Sequence, residues 1–146
     1  MKKLSIEEKS LLLRDLSARL SYGVICNDSR HGDSRITEID IVEETVYCHD
    51  FDEYVDVGKI KPYLRPMSSM TEEEKDEFRL DFHYYFYIGY EYSLNNKDGS
   101  YMMPMFVMRD YFDWLNAHHF DYRGLIEKGL ALEALEGMYE TEKQKN

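Results

Sequence analysis

A capped helix with a leucine stripe opens the chain and constrains the fold more than any other feature. Ser5 and Glu8 have the spacing of a capping box, and Gly23 follows the last apolar position. The apolar residues that recur at helical spacing are Leu12, Leu13, Leu16 and Leu20. We therefore predict an amphipathic helix over residues 5–20. Its apolar stripe is narrow and leucine-rich, which suits packing on a β-sheet.

The segment after Gly23 predicts that sheet. The stretch "YGVICND" is rich in strand formers, "SRHGDS" is rich in turn formers, and "RITEIDIVEETVYCH" alternates imperfectly between apolar and polar residues. Gly32 supplies the positive φ that a tight connection needs. A further strand is expected in "YVDVGKIKPYL", ended by Pro62 and Pro66 because proline cannot donate a hydrogen bond to a sheet. These strands predict an antiparallel meander.

Three later segments complete the predicted fold. A Ser or Thr cap and first-turn acids in "SSMTEEEKDEF" start a helix near Thr71, which we extend to about Tyr85. The stretch "MPMFVMRDYFDWLNAHH" predicts a helix whose core-facing residues are Phe106, Met108, Tyr111, Phe112 and Leu115. Asp121 is expected to cap a short helix that Gly129 ends, and "LALEA" to form a closing strand. We predict a single α+β domain over residues 1–146, with an N-terminal helix, a small antiparallel β-meander and two or three helices packed on it.

The distribution of charge indicates the class of partner. The formal net charge is -11, and the stretch from Ile36 to Val57 has no lysine or arginine. It has eight acids, which are Glu38, Asp40, Glu43, Glu44, Asp50, Asp52, Glu53 and Asp56. Binding to a phosphate backbone depends on cations that displace counterions, so we expect no direct binding of nucleic acid. A basic protein is the expected partner.

The N-terminal sequence and the cysteines bear on location. No stretch approaches the roughly 18 apolar residues of a membrane span, and "MKKLSIEEKS" lacks the apolar run of a signal peptide. We predict a cytoplasmic protein without a membrane partner. Cys26 and Cys48 fall in strands that we expect to be adjacent, and we expect both thiols to stay reduced.

Two neighbouring histidines raise the question of a metal or catalytic site. We expect one of His118 and His119 to cap or pack against the end of the preceding helix and the other to face solvent. The alternative is a metal-dependent or hydrolytic site built from His49, Asp50, Asp52, His119 and Asp121. The chain has no glycine-rich phosphate loop, GxSxG, HExxH or CxxC motif. We therefore expect no cofactor and favour a protein that is not an enzyme.

An aromatic run is the most unusual composition in the chain. It consists of Phe82, Tyr84, Tyr85, Phe86, Tyr87, Tyr90 and Tyr92. One interpretation is a core helix or strand whose hydroxyls reach water. The other is a surface that binds a partner or a second copy of the chain, since tyrosine is enriched at interfaces.

Three motifs carry a resemblance to a known family. They are "LLLRDLSARLSYGV" at 11–24, "IKPYLRPMSSMTEEE" at 60–74 and "DWLNAHHFDYRGLIEKGLALEALEGMY" at 113–139. In these the chain resembles a family of small proteins from gut-dwelling Bacteroidetes and their phages and mobile elements. The resemblance implies an accessory protein but no activity and no site residue. The chain departs from it in the aromatic run, in "SLNNKDGSYMMPM" and at Leu135.

The leading functional hypothesis is a small acidic accessory protein that acts by protein–protein interaction. Inhibition of a basic nucleic-acid-binding host protein is one form of it. The residues expected to bind the partner are Glu38, Asp40, Asp50, Asp52, Glu53, Tyr87, Tyr90 and Tyr92. The alternatives are the metal-dependent or hydrolytic enzyme described above and a homo-oligomeric structural component that associates through the aromatic run.

Overall fold

The computed structural model describes residues 3–77 and 105–139. The chain forms two compact units, one of Met1–Met67 with Asn116–Asn146 and the other of Ser68–Leu115. The prediction for the second helix beyond residue 77 and the predictions for the aromatic run lie outside the described residues.

Helix α1, Ile6–Arg19, confirms the predicted N-terminal helix. The capping box is formed, because the Ser5 hydroxyl accepts from the Glu8 N–H at 3.1 Å and the Glu8 carboxylate accepts from the Ser5 N–H at 2.9 Å. A 3₁₀ turn, Leu20–Tyr22, extends the helix, and Gly23 ends it with φ 73°. The signals that start and stop this helix are local, which is why the sequence predicted both ends.

The first unit contains a six-stranded mixed sheet. The strands are β1 Ile25–Asp28, β2 Gly32–Asp40, β3 Thr45–Cys48, β4 Glu53–Asp56, β5 Ile60–Leu64 and β6 Leu132–Glu133. Strands β1 to β4 are consecutive antiparallel neighbours, which confirms the predicted meander. The chain then crosses over, so that β5 pairs with the other side of β1 and β6 pairs in parallel with β5. The α+β class is confirmed, with a larger sheet than predicted.

Pro62 does not end a strand, and this prediction was wrong. It lies inside β5, opposite Cys26 of β1, one residue before β5 begins to pair with β6 at Tyr63. A strand accepts a proline at a position where the backbone nitrogen need not donate a hydrogen bond to a neighbouring strand. Among the described residues, no strand pairs with the outer side of β5 at Pro62 itself. Pro66 follows the strand, as predicted.

A β-bulge in β2 explains the imperfect alternation seen in the sequence. Ile36 pairs with Cys48, but Glu38 rather than Thr37 comes next, opposite Tyr47. The extra residue shifts the alternation by one position, so later residues of β2 project from the opposite face to the one that unbroken alternation would give. Glu38 and Asp40 therefore share the face opposite α1.

The core lies between α1 and one face of the sheet. Leu12 and Leu16 of α1 are fully buried and belong to one apolar cluster with residues of every long strand. The strand and loop members are Val24, Cys26, Ile36, Val46, Cys48, Val55, Val57, Ile60, Leu64, Leu125, Leu130 and Ala131. The leucine stripe therefore packs on a sheet, as its width indicated.

Cys26 and Cys48 lie on β1 and β3, which β2 separates, so the expected adjacency of their strands was wrong. Their Sγ atoms are 4.0 Å apart, and both thiols are free and buried. Two strand spacings of about 4.8 Å each place the Cα atoms roughly 9–10 Å apart. That exceeds the about 4.4–6.8 Å that a disulfide spans. The hydrogen bond with Cys48 and burial both raise the pKa of Cys26.

The later elements match the predictions in part. Thr71 and Glu74 form a second capping box, and residues 72–77 begin helix α2. Helix α3, Met105–Ala117, is present, with Leu115 buried but Phe112 39% exposed, so the core position predicted for Phe112 was wrong. Asp121 accepts from the N–H groups of Leu125 and Ile126, at 2.8 and 3.0 Å, yet the segment that it caps consists of turns and not of a helix.

Candidate protein-interaction surface

The histidines and acids considered for a metal site lie in two separate places of the first unit. His49, Asp50 and Asp52 form the turn between β3 and β4, whereas His119 and Asp121 follow α3. Among the residues that the structure describes, no group of three or more His, Cys, Asp or Glu side chains could hold a metal ion. Nothing in the described geometry therefore favours the metal-dependent alternative.

His119 is buried and packs, as one histidine of the pair was expected to do. Its ring stacks on Tyr139 at 3.6 Å between centroids, and its backbone N–H donates to the Asn116 carbonyl at 3.1 Å. Burial, followed by the charges of Arg19, His118 and Arg65, lowers the pKa of His119 to about 3. The ring therefore stays neutral at physiological pH, which suits packing and not proton transfer. His118 is half-buried and does not face open solvent as expected.

A buried ion pair lies beside His119. Arg19 and Asp15 of α1 are both fully buried, with Nε 2.8 Å from Oδ2, and Arg123 also donates to Asp15 at 3.1 Å. The Arg19 guanidinium donates to the Phe120 carbonyl at 2.6 Å. These contacts fasten the segment after α3 to the first helix. Arg19 and Arg123 share the one carboxylate of Asp15, and the buried Nη1 of Arg19 has no hydrogen-bond partner among the described residues.

A second histidine site was missed by the sequence analysis. Asp28 is 1% exposed, accepts from the Arg30 N–H at 2.9 Å and lies 3.2 Å from the Nδ1 of His31. Burial opposes ionisation, but the Arg30 N–H and the His31 ring outweigh it and lower the pKa of Asp28. The Nε2 of His31 lies 3.8 Å from Glu53. These contacts order the β1–β2 turn.

Three of the acids predicted to bind a partner lie in or beside the turn between β3 and β4. Asp50 accepts from the Arg35 N–H at 3.0 Å, a bond that lowers its pKa, and Asp52 accepts from the Tyr47 hydroxyl. Both acids therefore hold the β3–β4 turn in place. Glu53 is exposed beside His31. Tyr87, Tyr90 and Tyr92 lie outside the described residues.

The sheet face opposite α1 carries a tyrosine pair, half-buried Tyr47 and exposed Tyr54, beside an acid. Tyr47 and Tyr54 pair across β3 and β4, with ring centroids 5.0 Å apart. The Tyr54 hydroxyl donates to Glu38 at 2.7 Å, which raises the pKa of Tyr54. Tyr54 remains 59% exposed. These tyrosines were not among the residues predicted to bind a partner, although they lie within the acidic stretch.

The turn between β2 and β3 displays two branched aliphatic residues. Asp40 accepts from the N–H groups of Val42 and Glu43, each at 3.0 Å, and Glu44 closes the turn with φ 57°. Ile41 is 60% exposed and Val42 is 87% exposed. Turn tips favour Gly, Asn, Asp and Ser, so an Ile-Val tip is chemically unusual. The alternating pattern of the sequence placed Ile41 in the strand, which concealed this feature.

Ile41 and Val42 border a groove against α1. Its volume is about 380 Å³, and its lining residues are Ile6, Ser10, Leu13, Arg14, Ser17, Ile41, Val42 and Glu44. Ile6 is 84% exposed, so the three most exposed large apolar side chains of the described residues all border this one groove. We call the groove and the turn over residues 40–44 the tip surface.

Acids dominate the surroundings of the tip surface. Asp40, Glu43 and Glu44 belong to the turn, while Arg14 is the one basic residue among the described residues that line the groove. An apolar centre with a charged rim is the usual anatomy of a protein interface. The tip surface therefore combines an anchor of apolar residues with the acidic character seen in the sequence.

The described helices include none long and apolar enough to cross a membrane. Comparison with models of protein families, with curated proteins and with solved structures finds no match for this chain.

Proposed function

We propose that this protein is a protein-binding module that engages a basic partner through the tip surface. The observation that carries the proposal is the convergence of Ile6, Ile41 and Val42, the most exposed large apolar residues described, on one groove. Exposed apolar residues lower solubility, and their clustering within a charged rim marks interaction sites.

The acids of the turn define the chemistry of the partner. Removing Ile41 and Val42 from water supplies affinity, at roughly 25 cal/mol for each Å² of apolar area buried. The rim acids Asp40, Glu43 and Glu44 favour lysine or arginine beside that apolar contact. We infer a partner that presents an apolar side chain flanked by basic residues.

The sheet face with Tyr47, Tyr54 and Glu38 extends the same acidic stretch. A tyrosine ring beside a carboxylate suits an arginine side chain, which can stack on the ring and pair with the acid. Inhibition of a basic nucleic-acid-binding host protein is one form of this function, and it is the form that the phage or mobile-element resemblance favours.

The test compares capture by matched variants. Tagged protein is incubated with nuclease-treated lysate of the source cell, and bound protein is eluted by a salt gradient. We expect Ile41→Ser/Val42→Ser to lose the captured basic protein, and Leu135→Ser to keep it. Leu135 is a suitable control because it is 59% exposed and does not line the groove. Equal capture by wild type and the double variant would contradict the proposal.

A second copy of the chain is the competing occupant of the tip surface. Light scattering across protein concentrations separates the two cases. We expect a monomer for wild type. A dimer that Ile41→Ser/Val42→Ser dissociates would assign the surface to self-association and overturn the proposal of a basic partner.

A further inference from the structure

A second groove lies on the other side of α1. Helix residues Leu4, Glu8 and Leu12 line it, whereas the tip surface takes Ile6, Ser10 and Leu13 from the same helix. The remaining lining residues are Gly58, Lys59, Ile60, Lys61, Lys128, Gly129 and Leu130. The volume is about 220 Å³. We call it the lysine groove.

The floor of the lysine groove is apolar and fixed. Leu12, Ile60 and Leu130 are at most 3% exposed and belong to the core cluster, so they cannot move aside without disturbing it. An added Cβ at Gly58 would lie 3.1 Å from the Oδ1 of Asp56, 3.7 Å from the Cε of Lys9 and 3.9 Å from the Cγ of Leu4.

The rim of the groove carries three lysines. Lys59, Lys61 and Lys128 are exposed, and within the described part of the chain none of them forms an ion pair. Lys9 is nearby, but it is paired with Asp56 at 3.8 Å. Because the net charge of the chain is -11, three lysines on one groove give it a local charge opposite in sign to that of the whole molecule.

One acid also lines the groove. The Glu8 carboxylate accepts from the Ser5 N–H at 2.9 Å within the capping box, so one of its oxygens is engaged by the helix end. Three lysines against one carboxylate leave the rim positively charged. Lysine side chains have long flexible stems, which allow their ammonium groups to reach over an apolar floor.

We propose that the lysine groove binds a small organic anion, a carboxylate with a short aliphatic tail. The tail would lie against Leu4 and the aliphatic stems of the lysines, and the carboxylate would meet their ammonium groups. The volume is below the roughly 300–1,000 Å³ of pockets for drug-sized molecules, which restricts the ligand to a small one. The site is independent of the proposed protein-binding function, because the two grooves share no lining residue.

The backbone donors argue against a phosphate group. Phosphate sites are commonly built from free backbone N–H groups or from arginine forks. Here the Gly58 N–H donates to Asp56 at 2.8 Å, the Gly129 N–H donates to the Ile126 carbonyl at 3.0 Å, and the described lining residues include no arginine.

The test is a calorimetric titration of the full chain with hexanoate, and with hexanol and inorganic phosphate as comparison probes. We expect saturable binding of hexanoate at one site, and at least tenfold weaker binding of hexanol and of phosphate. If hexanol binds as tightly as hexanoate, the lysines do not contribute to binding. If phosphate binds as tightly as hexanoate, the aliphatic tail does not contribute to binding. Either result overturns the proposal, as does an absence of hexanoate binding.

Matched variants locate the site. Lys61→Gln/Lys128→Gln should weaken hexanoate binding at least tenfold, while Lys75→Gln/Arg109→Gln, which removes the same charge from α2 and α3, should leave it unchanged. Both pairs are exposed, so neither should disturb folding. Equal loss in the two double variants would mean that net charge, and not the lysine groove, sets the affinity.

Discussion

A single hydroxyl completes the hydrogen bonding between two strands. Tyr139 accepts from the Ile25 N–H at 2.8 Å and donates to the Tyr63 carbonyl at 2.8 Å, so it bridges β1 and β5. Burial raises the pKa of Tyr139, which keeps the hydroxyl proton in place. A residue near the C-terminus thereby joins the sheet without belonging to a strand.

Removing that hydroxyl should destabilise the fold. Tyr139→Phe leaves the Ile25 N–H and the Tyr63 carbonyl without this partner inside the protein, and we expect a loss of about 1–3 kcal/mol in the free energy of unfolding. Tyr22→Phe is the control, because Tyr22 is 39% exposed. Urea denaturation measures both variants. A loss at Tyr139 no larger than that at Tyr22 would show that water replaces the hydroxyl.

His119 should make the protein less stable in mild acid. Its pKa is lowered to about 3, whereas the unfolded chain binds the proton near pH 6.5. Between these values the unfolded state carries more protons, so stability falls as pH decreases, by up to about 1.4 kcal/mol per pH unit. We expect His119→Asn to flatten this slope between pH 6.5 and 4.5, and His49→Asn to keep it. Asn is suitable because His119 has φ 61°, a conformation that Asn tolerates. The slope is read from urea denaturation at several pH values, and an unchanged slope in His119→Asn would contradict the assignment.

At the scale of elements, substitutions in the tip surface should reduce partner binding and leave the stability of the fold almost unchanged. Ile41→Ser/Val42→Ser should change the free energy of unfolding by less than about 1 kcal/mol, because both side chains are mostly exposed. Ile39→Ser, two residues before Ile41, should cost more, since Ile39 packs against the core cluster. Thermal denaturation compares the two. A large loss in the double variant would mean that the turn residues serve the fold instead of a partner.

The elements that could be predicted are those with local signals. The capping box at Ser5, the helix cap near Thr71 and the turn at Gly32 depend on neighbouring residues, and all three are present. Strand β5 was misjudged at Pro62 because the cost of a proline depends on which strands pair beside it. Pairing partners are distant in sequence, and the two-residue β6 shows this most clearly.

Only part of the candidate site could be predicted from the sequence. The acidic stretch was evident, but the bulge before Glu38 and the Asp40 turn decide which residues stand out, and both depend on backbone geometry. The signal that was available is the order Asp40, two branched aliphatics, then two acids. An aspartate that accepts from the N–H two residues later is typical of a turn.

For the molecule as a whole, the net charge of -11 should make partner binding sensitive to salt. Screening shortens the reach of the acidic surface to about 8 Å at physiological ionic strength. We expect the association rate with the basic partner to fall as salt rises, and the dissociation rate to change little. Stopped-flow mixing at several salt concentrations measures both, and an association rate that does not respond to salt would show that the acids do not steer the encounter.

Charge reversal should localise this effect. Glu43→Lys at the tip surface should slow association more than Glu73→Lys on α2, although both change the net charge equally. Both residues are exposed. Equal slowing by the two variants would assign the effect to net charge alone and not to the tip surface.

The most direct test of the central proposal is hydrogen–deuterium exchange on the protein alone and in complex with its captured partner. We predict slower exchange in the complex at the turn over residues 40–44 and along α1, with little change at the lysine groove residues 58–61 and 128–130. Protection that leaves residues 40–44 unchanged would contradict the assignment of the tip surface as the binding site.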